Sequence, residues 1–509
     1  MKSALKVFAG FCLSLFGGGL ISCSNDTESA VINITPIVAH DTAAVTDDSL
    51  SPEEVKMLYK MREPNHRISG AEIVKLIDNV IGILDEETGL KSGTGRKVHS
   101  ITPLVSENSK AVALKSGGEP EIEIPDTLAY VVNFQDNQGF AILAADTRVE
   151  SPILGFFDQG SLIDSTDNPG MVLMLERMEN FILNNIIETE EQKDSLLASA
   201  QEKLSSEFDT KAPNCVNVSG CYYVYGDLRE TLESVSPLIP VEWNQWDIYN
   251  DNVGGNCSGI ADAPGNGKYW AGCVATSVAQ IMAYWKHPAK IDNYSFDWNI
   301  LNQYTANPTR AGSNMVGKLK LDDSSPVAVK NQIATLFQKI GKGVGMKYGC
   351  EGSSAKMVNA VNFLKKQGYK TTQSSLVDLP GIVSYKKDLV ISSLKNKRPL
   401  LVEGCARKIK QTILGITYNT YGDKCHSWVI DGYLKKNVMY YYYLTNGTIT
   451  PFYEPAVFFH SNWGWGGDEN GYQVAGLFNT NLDSLASNTK SYEEGNYQHL
   501  IEIVPHIYR

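Results

Sequence analysis

Cys273, His426 and Asn462 are the residues of this 509-residue chain whose types, order and surroundings together could support nucleophilic chemistry. A free thiol, with a pKa of about 8.5, is only a few per cent ionised at neutral pH and needs help to attack a carbonyl. An imidazole can hold the resulting thiolate as an ion pair and later protonate a leaving amine, while a carboxamide fixes the ring's orientation. The chemistry of such a set is acyl transfer through a thioester. His460, two residues before Asn462 and on the same strand face, is a second candidate base.

These side chains need particular elements beneath them. Val274, Val278, Ile281, Met282 and Trp285 recur at helical spacing, which predicts a helix over 272–285 ending at His287-Pro288. Cys273 falls in its first turn, where unpaired N–H groups and the positive dipole end favour thiolate over thiol. Cys425 to Ile430 read as a strand entering an Asp431-Gly432 turn, with His426, Trp428 and Ile430 on one face. Phe458 to Asn462 read as another strand, running into a glycine-rich loop.

In these words the chain resembles peptidase family C10, the streptopain group of bacterial cysteine proteases with a papain-like fold. The matching words are Gly272-Cys273-Val274-Ala275-Thr276 with Ala279-Gln280-Ile281-Met282, His426 with Val429-Ile430-Asp431-Gly432, and Asn462-Trp463-Gly464-Trp465-Gly466-Gly467. The resemblance covers residues 235–505 and, more weakly, the region upstream. It implies an α+β architecture, a papain-like cysteine protease catalytic domain preceded by an α+β prodomain. It further implies Cys273 as nucleophile, His426 as base, Asn462 and the adjoining Trp463 as their support, and Gln245 of Trp243-Asn244-Gln245 in the oxyanion hole. The Gln245 amide and the Cys273 N–H would then aim two donors at the tetrahedral oxyanion. Tyr348, Gly349, Ser354, Ala355 and Trp465 are implied as the substrate cleft. His426 ranks above His460 because it alone has the His-x-x-Val-Ile-Asp-Gly context. Lys424-Cys425 stand where the family has small residues, often glycines, which leaves the cleft's shape beside His426 open. The implied partners are protein or peptide substrates, with no metal and no cofactor. Two other readings stand beside this one: a different Cys-His acyl transferase or amidase acting on cell-wall or protein substrates, and an inactive surface-binding protease homologue.

The rest of the chain frames that centre. A net charge of −12 with no basic cluster to track phosphates gives a nucleic-acid partner little support, and none is expected. Residues 1–22 have the form of a signal peptide, with Lys2 and Lys6 ahead of the apolar stretch Val7 to Ile21. Leu20-Ile21-Ser22-Cys23 resembles a bacterial lipobox, so the expectation is a secreted lipoprotein tethered through lipid on Cys23 and residues 23–45. Its place would be the cell envelope, at the outer membrane or cell surface of a bacterium, touching membrane only through the anchor.

Residues 46–202 are expected as the prodomain, acting as an intramolecular inhibitor, 203–214 as linker and processing region, and 215–509 as the catalytic domain. Capping boxes at Ser51 and Ser69 open two helices. Strands are expected over 128–134 and 140–144, and a helix over 170–187. Gln138 to Asp146 resembles the C10 prodomain. The acidic run Glu188 to Glu191 reads as a solvated helix end. With Cys12, Cys23 and Cys273 set aside, six cysteines remain for an oxidising exterior; about 15 connectivities are open to them, and spacing singles out Cys215–Cys221 and Cys405–Cys425 only as the local candidates.

Overall fold

The computed structural model describes residues 50–88, 95–105, 122–163, 165–207, 223–224, 228, 230–260, 263–308, 315, 317–371, 381–405, 412–413, 416–418, 425–443, 449–479 and 501–509. Cys23 and the expected signal and tether, together with Cys215 and Cys221, lie outside the described residues.

Ser51 caps helix α1 (Pro52–Lys60): its hydroxyl accepts from the Glu54 N–H while the Glu54 carboxylate accepts from the Ser51 N–H. Helix α2 (Gly70–Thr88) buries Ile73, Leu76, Ile77, Val80 and Leu84, a stripe three and four residues apart that can face only one way. Strands β1 (Val98–Val105), β2 (Thr127–Phe134), β3 (Phe140–Ala144) and β4 (Ile153–Phe157) then pair antiparallel in sequence order. The short strand β5 (Ser165–Thr166) leads into helix α3 (Pro169–Glu207).

Helix α3 runs 20 residues beyond the expected end at 187, through the first five positions of the expected linker. Its polar second half is held by ion pairs that amphipathicity alone does not reveal. Glu190 takes Arg148 and Lys193, at 2.8 and 2.6 Å, and Lys203 takes the buried Glu54 of α1 at 3.0 Å. The acidic run therefore sits in mid-helix with Thr189 buried, rather than at a solvated helix end.

The second half of the chain supplies β6 (Glu230–Val235), α4 (Cys273–Trp285), α5 (Val327–Gly343), α6 (Met357–Lys366), β7 (Val383–Ser384), α7 (Lys387–Lys395), β8 (Leu400–Cys405) and β9 (Ile416–Tyr418). Strands β10 (Cys425–Tyr443), β11 (Ile449–Asn462), β12 (Gly471–Val474) and β13 (Ile501–Val504) complete it. One sheet takes strands from both halves, in the order β1-β2-β3-β4-β12-β11-β10-β8-β13-β7, with β6 also on β10. The join is antiparallel, Gly471 opposite Phe157 and Gln473 opposite Gly155. Residues 48–509 pack as one unit, so the sheet crosses the expected division between prodomain and catalytic domain.

Successive strand residues point to opposite faces. Leu401 of β8 and Val429 of β10 enter a core with α4, α5 and α6. Leu400, Val402, Trp428 and Ile430 enter another with Met171, Leu173, Met174 and Phe181 of α3. The central strands thus lie between α4 on one side and α3 on the other. Asp431-Gly432 makes no turn; β10 continues through a register slip there, because the Asp431 backbone and carboxylate pair with the segment before Val241. Among the described residues two disulfides form, the expected Cys405–Cys425 and a distant Cys257–Cys350.

Candidate active site

Cys273 is the first residue of α4, partly exposed and outside both disulfides. Gly272 precedes it at φ 93°, and a Cβ there would lie 2.8 Å from the Met346 sulfur and 3.2 Å from Ser353 Cβ. That position requires glycine on both grounds. The helix is fastened to the sheet below by Ser277 and Ser427, whose hydroxyls are 2.9 Å apart.

His426 sits on β10 opposite Gly404 of β8, buried on the α3 face. Its Nε2 is 2.9 Å from the Trp463 carbonyl oxygen. A carbonyl only accepts, so this bond places the proton on Nε2 and leaves Nδ1 as the basic nitrogen. Burial pushes the ring's pKa down to about 4, against the upward pull of that hydrogen bond. Burial thus favours the neutral ring over the imidazolium in this arrangement.

Asn462 ends β11 with its side chain engaged elsewhere: Nδ2 donates to Val241 O at 3.2 Å, and Oδ1 accepts from the Gly464 N–H at 3.2 Å. The expected carboxamide support of the ring is replaced in this form by the neighbouring backbone carbonyl. Trp463 itself is fully buried, its indole donating to Glu469 O at 2.8 Å and packing against Trp428 at 5.2 Å.

The start of α3 packs on the neighbours of His426. Leu173 lies against Gly404, where a Cβ would come within 2.5 Å of it, and Gly170 rests on the Trp463 indole, a Cβ there coming within 2.2 Å. One turn earlier, Thr166 donates to the Glu469 carboxylate at 2.9 Å and Asn168 donates to Asp468 O at 3.3 Å. Strand β5 pairs in parallel with β9, Thr417 opposite Ser165 and Tyr418 opposite Thr166.

The other expected site residues gather around Trp270 and Ala271, just before Cys273. Gln245 is buried, and its carbonyl accepts from the Ala271 N–H at 2.9 Å, two residues before Cys273. Tyr348, Gly349, Ser354 and Ala355 form a turn held by Lys347 and Ser354 backbones. Ser353 ties this turn to Trp270, donating to Trp270 O at 2.6 Å and accepting from the Gly349 N–H at 3.1 Å. Trp465 stacks on Trp270 at 5.5 Å and meets Trp246 edge-on at 4.7 Å. Trp246, Trp270 and Ser353 were not singled out in the sequence, although the first two adjoin the Gln245 and Cys273 words. The Cys257–Cys350 bridge pins this wall, with the Trp270 indole donating to Cys350 O at 2.9 Å. His460 is paired with Asp431 at 2.6 Å. Among the described residues no three His, Cys, Asp or Glu come together as a metal site, and no helix is long and apolar enough to cross a membrane.

Residues 243–473 match the Peptidase C10 family, and residues 107–182 match the family described as Spi protease inhibitor. Over 415 residues the chain is 23% identical to streptopain of Streptococcus pyogenes, covering 78% of this chain and 82% of that protein. Over 270 residues it is 27% identical to the thiol protease/hemagglutinin PrtT of Porphyromonas gingivalis, which is 49% of this chain but only 26% of that relative's length. Among solved structures, a prointerpain A fragment of Prevotella intermedia aligns over 76% of this chain and 98% of its own, at 19% identity and a TM-score of 0.43. Active interpain A from the same organism aligns over 56% of this chain and 100% of its own, at 22% identity and a TM-score of 0.32.

Proposed function

We propose, from the premise that residues 243–473 of this chain belong to the peptidase C10 family, that it is a cysteine endopeptidase made as a zymogen. The observation that carries the zymogen reading is the packing of α3 on the residues flanking His426, Gly170 on the Trp463 indole and Leu173 against Gly404, while the ring itself is bonded to the Trp463 carbonyl. The match of residues 107–182 to a protease inhibitor family supports the same role for the first half.

Once α3 withdraws, His426 regains water, its pKa rises, and it can share a proton with Cys273. The thiolate attacks the peptide carbonyl carbon, and a C–S bond forms while the oxyanion is held by the Gln245 amide and the Cys273 N–H. Collapse breaks the C–N bond as His426 protonates the leaving amine. Water then gives a proton to His426 and attacks the thioester; the C–S bond breaks, releasing the acid and the thiol. Tyr348, Gly349, Ser354, Ala355 and Trp465 line the approach to Cys273 as the substrate wall. We place the protein outside the cell on a lipid carried by Cys23, where several acyl chains would be needed for stable attachment.

Cutting the chain between residues 207 and 223 tests the core of this reading. The cut protein should hydrolyse a protein substrate and take a thiol-directed peptidyl electrophile on Cys273, and the uncut chain should do neither. Equal labelling of the two forms would defeat the zymogen reading. Cys23→Ser should move the protein from the membrane to the soluble fraction, and unchanged fractionation would defeat the anchor.

A further inference from the structure

Asp431 and His460 form a buried acid–imidazole pair that the reaction above does not use. His460 Nδ1 is 2.6 Å from Asp431 Oδ1, and the two residues are 6% and 1% exposed. The other carboxylate oxygen accepts the Ile239 N–H at 2.9 Å, and the Asp431 carbonyl accepts the Leu238 N–H at 3.0 Å. Local sequence makes this possible. The β10–β11 register slips between Ile430 and Gly432, so Asp431 is the extra residue of a bulge and can turn to a new partner. Gly432 admits the passing segment, since a Cβ there would lie 3.0 Å from Val235 O and 3.2 Å from Pro237 N.

The clamped segment reaches the catalytic set within two residues. Val241 O accepts Asn462 Nδ2 at 3.2 Å. A carboxamide has one donating and one accepting end, and this bond decides which end faces which way. With the NH2 group on Val241, the oxygen is presented to the Gly464 side, where it accepts at 3.2 Å. That oxygen is the end that must receive a ring N–H from His426 when the ring leaves Trp463.

Resting on the peptidase reading, we propose that Asp431 and His460 are positioning residues. They clamp Ile239 so that Val241 sets the orientation of the Asn462 carboxamide, and through it that of the His426 ring. His460 is thereby committed to Asp431, with its ring against Tyr472 at 5.1 Å.

The test uses the full chain, cut in its linker by immobilised wild-type enzyme that is then removed, with turnover normalised to Cys273 labelled by a peptidyl electrophile. Asp431→Ala should lower kcat about tenfold to a hundredfold with KM little changed, as expected for a misplaced catalytic group. Asp431→Asn keeps an acceptor for the Ile239 N–H and should recover most of the rate. Asn462→Ala should lose a similar factor, and the double variant Asp431→Ala/Asn462→Ala should be no slower than Asn462→Ala alone, because both act through one carboxamide. His460→Ala should resemble Asp431→Ala, whereas His460→Gln, which keeps a donor, should not. Additive losses, an unchanged kcat in Asp431→Ala, or Asp431→Asn no better than Asp431→Ala would overturn the proposal. Should Asp431→Ala not fold, the Asp431→Asn and His460 variants still decide it by the same criteria. Wild-type turnover in Asn462→Ala would instead remove the catalytic reading beneath it.

Discussion

At the scale of single residues, the two histidines should separate cleanly. His426 lies beside Trp463, and His460 lies on Asp431. On the cut enzyme, Cys273→Ala and His426→Ala should each cost about 10⁴-fold or more in kcat, since nucleophile and base act as one unit. His460→Ala should cost far less, through position alone. If peptide hydrolysis survived His426→Ala and vanished with His460→Ala in a folded protein, the assignment would reverse. Cys273, His426 and Asn462 could be put forward from the sequence because each sits in a distinctive word. The carbonyl that holds the His426 ring was not, since every residue carries a backbone carbonyl and nothing in its identity marks the one that will be used. The Cys257–Cys350 bridge was hidden for a related reason: 93 residues separate the two, and only folding brings them together.

The deciding element is α3. Its apolar first half could be read from periodicity, whereas its extension to Glu207 is held by Arg148 and Glu54, partners supplied by other elements, with Lys193 pairing Glu190 inside the helix. The same limit explains Asp431-Gly432, a pair that favours a turn locally yet is kept in β10 by the segment it binds. Because Gly170 rests on Trp463 with no room for a Cβ, Gly170→Val should lift the first turn of α3 away from the indole. The variant, carrying an uncut linker, should therefore hydrolyse substrate and label at Cys273 well above the uncut parent, while the cut forms of the two should match. Labelling as low as the parent's would mean that this turn is not what silences His426. At the opposite end of the site, Gly272→Ala should slow the cut enzyme, because the αL-side φ of 93° and the Met346 contact both oppose a side chain just before Cys273. Unaltered kcat in that variant would show that the start of α4 tolerates the shift.

For the whole molecule, the two halves are joined by a titratable contact. Burial raises the Glu469 carboxyl from its ordinary 4.5 to about 8, the hydrogen bonds from Thr166 and Asn168 oppose the rise, and Asp468 and Asp167 add to it. A carboxyl raised by docking weakens the docked form as pH climbs from about 4.5, where the exposed group ionises, to about 8, where the buried one does. His426, pushed down to about 4 from 6.5, acts oppositely below 6.5, so the informative window is pH 6.5 to 8. After linker cleavage, the first half should be retained more at pH 6.5 than at pH 8 by gel filtration, and Glu469→Gln should flatten the difference. Retention independent of pH in the parent would show that Glu469 does not govern release. The join of β4 to β12 has a consequence of another kind. While the first half is present, β12 is an interior strand, with Phe156 packed on Tyr472 at 5.2 Å and on Phe458 at 5.3 Å across the seam. Departure of that half turns β12 into a sheet margin with unmatched backbone donors and acceptors beside a strip of aromatic carbon, the template on which extended chains pair edge to edge. A chain begun at Glu230 should accordingly gather into insoluble assemblies as it folds, and supplying residues 50–207 as a separate chain should keep it dispersed, as light scattering would register.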